Sequence, residues 1–230
     1  LALEFGIDPS PTKEVFFKNI QSVLKQLTAM LPKGLFLHFK PVVVFNPEDM
    51  KALPPEALEL GCDPDYNAYT LRTNPRPVLT DPNMRSAGGH VHIGWGAGLN
   101  TAGRRHIEAC AALSVELDLY LGVASLRWDT DSRRRAIYGK PGAFRPKRYG
   151  MEYRSLSNQW LNSKETIEFV FDSTIKAIEA VTSGKENSLN PLRFFQGQLN
   201  ITPKDLVEAN WSYLGEAIYD KLSKGETVVQ

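Results

Sequence analysis

The stretch GGHVHIGWG, residues 88–96, constrains the fold more than any other. An extended chain sends successive side chains to opposite faces. His90 and His92 therefore share one face, while Val91, Ile93 and Trp95 take the other and read as its core side. Gly88 and Gly94 flank the imidazoles on their own face and leave room for a ligand or a close backbone. A strand with an apolar reverse side needs a sheet covered on one face. The bland reading of the same residues is a pair of exposed strand histidines beside glycine turns.

The surrounding elements favour an α+β domain with an antiparallel sheet, because helical and extended patterns alternate without a regular βαβ rhythm. Leu1, Leu3 and Phe5 alternate with Ala2, Glu4 and Gly6, which predicts a strand. A domain rarely begins inside a strand, so upstream sequence is expected. Ser10-Pro11 opens a helix that carries apolar residues at helical spacing until Pro32-Lys33-Gly34. Residues 35–45 are strand-like, with Pro41 as a break, and 47–60 are loosely helical. Residues 61–83, rich in Pro, Asp and Asn, predict ordered loop with short extended pieces.

A long apolar helix is predicted from Asn100-Thr101 to about Leu121, followed by irregular chain over 127–150 and a strand in GMEYRSL. Asn162 or Ser163 caps a further helix to about Gly184. Thr202-Pro203-Lys204-Asp205 caps the last one, to about Leu222. The whole, 1–230, reads as one domain, with 163–230 as its helical C-terminal part.

Composition sets the limits. With 230 residues, 42% hydrophobic and 23% charged, the chain can bury a real core. A formal net charge of +1 gives no whole-molecule field for nucleic acid or membrane. No apolar run approaches ~18 residues, which argues against a membrane span. Cys62 and Cys110 have no CxxC spacing and suit a reducing, cytoplasmic setting.

Charge is nevertheless concentrated. Residues 133–154, RRRAIYGKPGAFRPKRYGMEYR, hold eight basic residues against Glu152 alone. Guanidinium groups bind phosphate and carboxylate oxygens in bidentate fashion, so this stretch suits a polyanion. The bland reading is a solvated basic loop. Interleaved Tyr138, Phe144, Tyr149 and Tyr153 keep nucleic acid open as a ligand, whereas the glycines and prolines favour a shaped pocket. Glu152 and Arg154 alternate and share a face, most simply as a structural pair. A lone strand carboxylate in a positive field is also what Mg²⁺ needs, since that ion takes hard oxygen ligands together with substrate phosphates. Glu4 is the other acid isolated among apolar residues, and most simply faces solvent.

GCDPDYNAY, RSAGGHVHIG and YGKPGAFRPKRYGMEYRSLSNQW, in this order, resemble the phage-type COOH–NH2 ligases, or phiEco32-like amidoligases of type 2, of the glutamine synthetase / glutamate–cysteine ligase superfamily. The resemblance runs from Leu1 to about Trp160. It implies a glutamine synthetase-like antiparallel sheet whose concave face is the active site, with helices packed behind. It also implies ATP with Mg²⁺ or Mn²⁺, and an amide formed from a small-molecule or peptide carboxylate and an amine donor through an acyl phosphate. By that match Glu4, His90 and Glu152 hold metal, and His92 contacts ATP phosphate. Arg154 grips phosphate or the substrate carboxylate, while Arg135, Arg145 and Lys147 lie over the phosphates as catalytic and nucleotide-binding cations. The phage setting of the family implies the host cytoplasm. Members normally begin with a strand carrying paired acids of the DPE or ExE kind, and none precedes Leu1.

Two other functions fit the same residues. A zinc-dependent hydrolase could use the HxH strand, but it needs a third ligand, and only His38 and His106 remain among the histidines. A non-enzymatic phage structural or nucleic-acid-binding protein could use the basic loop.

Overall fold

A computed structural model describes residues 2–55, 58, 65–79, 81–94 and 101–183. The architecture is α+β. Its centre is a five-stranded antiparallel sheet of β2 (Tyr66–Asn67), β3 (Arg72–Thr73), β5 (Val91–Gly94), β6 (Ala143–Lys147) and β7 (Gly150–Tyr153), in the spatial order β3-β2-β6-β7-β5. A separate two-stranded sheet pairs β1 (Val42–Val44) with β4 (Met84–Ser86).

The period-two reading of the histidine strand holds over Val91–Gly94, while Trp95 lies outside the described residues. Val91 and Ile93 are buried, whereas His92 is exposed. Across the sheet Val91 pairs with Tyr153 and Ile93 with Met151, and Phe144 on β6 pairs with Tyr153. All five belong to one core cluster. Behind this apolar face lies α3 (Arg104–Leu117), packed on β6, β7 and α5 (Lys164–Thr182). Outside α5 lies α1 (Lys13–Met30), joined to it by Lys13 Nζ–Asp172 Oδ2 at 2.8 Å and by Phe16 against Phe171.

Local chemistry explains the helix ends. Thr12 Oγ1 accepts from Val15 N–H, so α1 starts slightly later than Ser10-Pro11 suggests. Ser163 Oγ accepts from Thr166 N–H and caps α5 as expected. The helix expected from Asn100 begins only at Arg104, after Gly103 at φ +78°. Beyond α3 the chain passes into a π-helical turn, Asp118–Gly122, and a 3-10 turn, Ala124–Arg127. Arg104–Arg127 as a whole is long and apolar enough to cross a membrane by length and composition, a stretch that a search for unbroken apolar runs passes over. It is buried inside the protein, as the core helix of a sheet domain is.

The π-turn has a visible cause. Asp118 is buried and accepts from Tyr153 OH at 2.6 Å, Tyr69 OH at 2.8 Å, Gly142 N–H and Ser155 Oγ. A Cβ on Gly122 would collide with the Tyr153 hydroxyl, so only glycine lets the helix bulge past this hub. Burial pushes Asp118 up to about 6, against the opposing effect of its hydrogen-bond donors.

Three expectations fail. Residues 2–10 form neither strand nor helix, since an alternating pattern becomes a strand only where a neighbouring strand can pair with it. Residues 35–40 are likewise irregular, and only Val42–Val44 pairs. Residues 127–150 are far from irregular: they hold a short helix, α4 (Ser132–Ile137), capped by Asp131, and the central strand β6. Within the stretch 47–60, read as loosely helical, α2 covers Pro47–Lys51. The helix read from Thr202 to Leu222 lies outside the described residues.

One buried acid makes the fold pH-sensitive. Glu116 on α3 is fully buried and neither carboxylate oxygen has a hydrogen-bond partner. Burial pushes it up to about 8, well above its unfolded value. Its neutral form is therefore favoured in the fold. The associated stability is complete below the unfolded value near pH ~4 and is lost as pH rises through about 8. Glu116→Gln should melt close to the parent at pH 5 and several degrees above it at pH 8.5, corresponding to roughly 1–3 kcal/mol. Equal melting-temperature differences at both pH values would contradict this.

Candidate active site

The polar face of the sheet carries one row of functional side chains. In register, His92 on β5 faces Glu152 on β7, which faces Arg145 on β6. Cross-strand partners share a face, and so do residues two apart on one strand. His90, Lys147 and Arg154 therefore join the same face. Extending the β2–β6 register by one residue sets Asp65 beside Arg145. The β6–β7 connection, Arg148-Tyr149, is two residues long and fixes this register.

Glu152 is the centre. It is 3% exposed, yet four cationic or imidazole groups reach it. His90 Nδ1 lies 2.8 Å and Lys147 Nζ 3.0 Å from its oxygens, Arg145 Nη1 lies 3.6 Å away, and Arg154 Nη1 makes a shorter contact still. Burial alone would push its pKa up. The hydrogen bond from His90 and the charge of Arg154 reverse that and hold Glu152 well below the ordinary carboxylate range. It is an anion at every physiological pH. Oε2 faces Lys147 and Arg145 as ion-pair partners without a well-aligned hydrogen bond to either.

Burial favours the neutral form of both His90 and His92. Burial lowers His90, which the hydrogen bond to Glu152 opposes and the nearby Arg154 reinforces. Burial lowers His92 as well, with Lys147, Arg154 and Arg145 adding to the effect against Glu152. A neutral His90 donating Nδ1–H to Glu152 is the tautomer this pairing requires. His92 Nδ1 makes a short hydrogen bond with Tyr149 OH, and the two rings stack at 6.0 Å. Gly88 makes room for something other than the expected ligand or backbone: a Cβ there would occupy the place of the His90 ring.

Arg154 is 4% exposed and held at both ends of its fork, by Glu152 at Nη1 and by Asp65 Oδ2 at 3.3 Å from Nε. Its backbone carbonyl, and that of Ser155, accept from the buried guanidinium of Arg134 at 3.1 and 2.8 Å. Asp65 and Arg134 were not singled out from sequence. Asp65 sits in a stretch whose prolines and polar residues read as loop. Arg134 is the middle of three arginines, which read as solvated charge.

Two predicted residues lie elsewhere. Arg135 lies on α4, where its Nη1 pairs with Asp129 at 3.3 Å and donates to the Asp129 carbonyl. Glu4 is exposed in the irregular segment 2–10. Among the described residues no group of three His, Cys, Asp or Glu side chains is placed to hold a metal ion. His106, a possible third zinc ligand, instead contacts Lys147 O at 3.1 Å from the core side, and His38 is exposed. The basic stretch is not a flat stripe either. Arg133 pairs with Asp131, Arg135 with Asp129, and Arg145, Lys147 and Arg154 with Glu152.

The arrangement is a buried, ionised carboxylate, Glu152, ringed by cations and imidazoles on one sheet face, with the Asp65 carboxylate beside it on Arg154. It can align polyanionic oxygens and a second carboxylate. Neither a curated protein nor a solved structure matches the chain. A family model does: that of the phage phiEco32-like COOH.NH2 ligases, type 2, over residues 82–199, a span that includes His90, His92, Arg145, Lys147, Glu152 and Arg154 but not Glu4 or Asp65. The chain therefore belongs to the phiEco32-like COOH.NH2 ligase family of type 2.

Proposed function

We propose that the ligation is driven by ATP and proceeds through an acyl phosphate, in the manner of the glutamine synthetase-like superfamily. The observation that carries this reading is the convergence of Arg145, Lys147, Arg154, His90 and His92 on Glu152 along one sheet face.

An amine cannot displace oxide from a carboxylate. In the proposed sequence a substrate carboxylate oxygen attacks the γ-phosphorus of ATP, the bond to the β,γ-bridging oxygen breaks, and ADP leaves. The amine nitrogen then attacks the acyl carbon, the bond to the phosphate oxygen breaks, and inorganic phosphate leaves as the nitrogen loses its proton. Phosphoryl transfer asks mainly for alignment and charge neutralisation. Arg145 and Lys147, each a quarter exposed or so, can turn from Glu152 towards phosphate oxygens. Arg154 is too enclosed to swing and acts as fixed charge. His92, neutral and exposed, offers a hydrogen bond without adding charge.

The donor set fits a Mg²⁺ that arrives with the nucleotide, because such an ion keeps waters and phosphate oxygens and needs only one or two protein ligands. Glu152 and His90 are the residues that would hold it, and the ion would neutralise charge on the transferring phosphate.

The reading is tested by incubating the protein with ATP, Mg²⁺ and a panel of amino acids and amines, and measuring ADP. ADP release that needs both a carboxylate and an amine is the expected result. Turnover of neither, or tight stoichiometric zinc in the purified protein, would contradict it.

A further inference from the structure

The β2–β3 hairpin contributes a carboxylate that the proposed reaction does not yet use. Asp65 stands just before β2, on the same sheet face as Glu152. Its side chain is 11% exposed, and both oxygens are engaged. Oδ2 accepts from Arg154 Nε at 3.3 Å, and Oδ1 accepts from Asn74 Nδ2 at 2.8 Å. Asn74 is itself anchored, because its N–H donates to the Asp65 carbonyl at 2.8 Å across the hairpin. The Asp65 carboxylate is thereby held by its own hairpin and turned on Arg154.

The point of attachment matters. A guanidinium is a rigid plane whose five N–H directions are fixed once two of them are fixed. Asp65 holds Nε and Glu152 holds Nη1. The plane can no longer rotate about the side-chain bond, and Nη1 stays directed at Glu152. Without the Asp65 carboxylate, Nε loses the partner that sets the direction of its N–H. The backbone would remain in place, since Arg134 holds the carbonyls of Arg154 and Ser155 independently.

We propose that Asp65, braced by Asn74, is a positioning residue that fixes the guanidinium plane of Arg154 and through it the geometry around Glu152. The consequence for catalysis rests on the ligase reading above. The positioning itself does not.

Two measurements separate them. In the first, ¹⁵N NMR of arginine side chains in the intact protein follows the Arg154 Nε–H signal. It should be slow to exchange in the parent and lost to fast exchange in Asp65→Asn; retention in the variant would overturn the proposal whatever the enzyme does. In the second, kinetics are compared for Asp65→Asn, Arg154→Lys and the double variant. Asp65→Asn should lower kcat ~10- to 10²-fold with the ATP KM within about threefold, as expected for lost alignment rather than lost binding. In the Arg154→Lys background, which has no fork to orient, it should have no further effect. A full additional loss there would mean that Asp65 acts on its own or only through stability, and would overturn the proposal. Parent protein without ATP-dependent amide formation would sink the ligase reading and leave the NMR result to decide positioning. If Asp65→Asn does not fold, Asn74→Ala carries both measurements, with the same pattern at about threefold in kcat.

Discussion

Glu152→Gln is expected to lower amide-forming turnover by at least ~10³-fold while the protein still folds. A single well-placed charged group contributes ~10²–10³ in comparable sites, and Glu152 is more than one such group. Arg145, Lys147 and His90 all contact it, so its loss removes an anion that holds three groups of this face together. Glutamine keeps the shape and one acceptor oxygen but adds an N–H₂ group facing cations. Arg154 would retain Asp65, and Lys147 and Arg145 can reach solvent, so the stability cost should stay near 1–3 kcal/mol. Circular dichroism and a melt at the assay temperature check folding. A folded variant that turns over at the parent's rate would remove Glu152 from the site.

Asp118→Ala is expected to be the most destabilising single change outside the site. It orphans the buried Tyr153 hydroxyl and Gly142 N–H, together with the part-buried Tyr69 hydroxyl. Each buried donor left without an acceptor costs ~1–3 kcal/mol, so a total above ~3 kcal/mol follows. In a chain of this length that lowers the melting temperature by roughly 6–12 °C. Asp118→Asn, which keeps an acceptor oxygen, should lose much less. Similar melting temperatures for the two variants would show that the hydrogen bonds are not what holds the π-turn.

The parts of the site that lie close together in sequence could be read from it. The alternation in HVHI puts two imidazoles on one side because Val91 and Ile93 must be buried, and MEYR does the same for Glu152 and Arg154. The family resemblance then assigned these to one site, and the pairing of β5 with β7 brings them together. What could not be read depends on long-range packing. Arg134 is buried because Ser155 and Arg154 offer carbonyls twenty residues away, and nothing in RRR distinguishes its middle member. Arg135 belongs with Asp129 for the same reason. The N-terminal alternation failed because period two describes only a chain that finds a partner strand, and residues 2–10 find none among the described residues. Asp65 is a short carboxylate in loop-like sequence, which acquires significance only when β2 docks on β6.

The claim on which the account turns is that this sheet face brings a carboxylate and the γ-phosphate of ATP together. It is tested most directly with a carboxylate substrate labelled with ¹⁸O, turned over with ATP and an amine, followed by mass analysis of the released phosphate. Acyl phosphate formation transfers one labelled oxygen from the carboxylate into inorganic phosphate. Unlabelled phosphate, or label appearing in AMP with release of pyrophosphate, would contradict it.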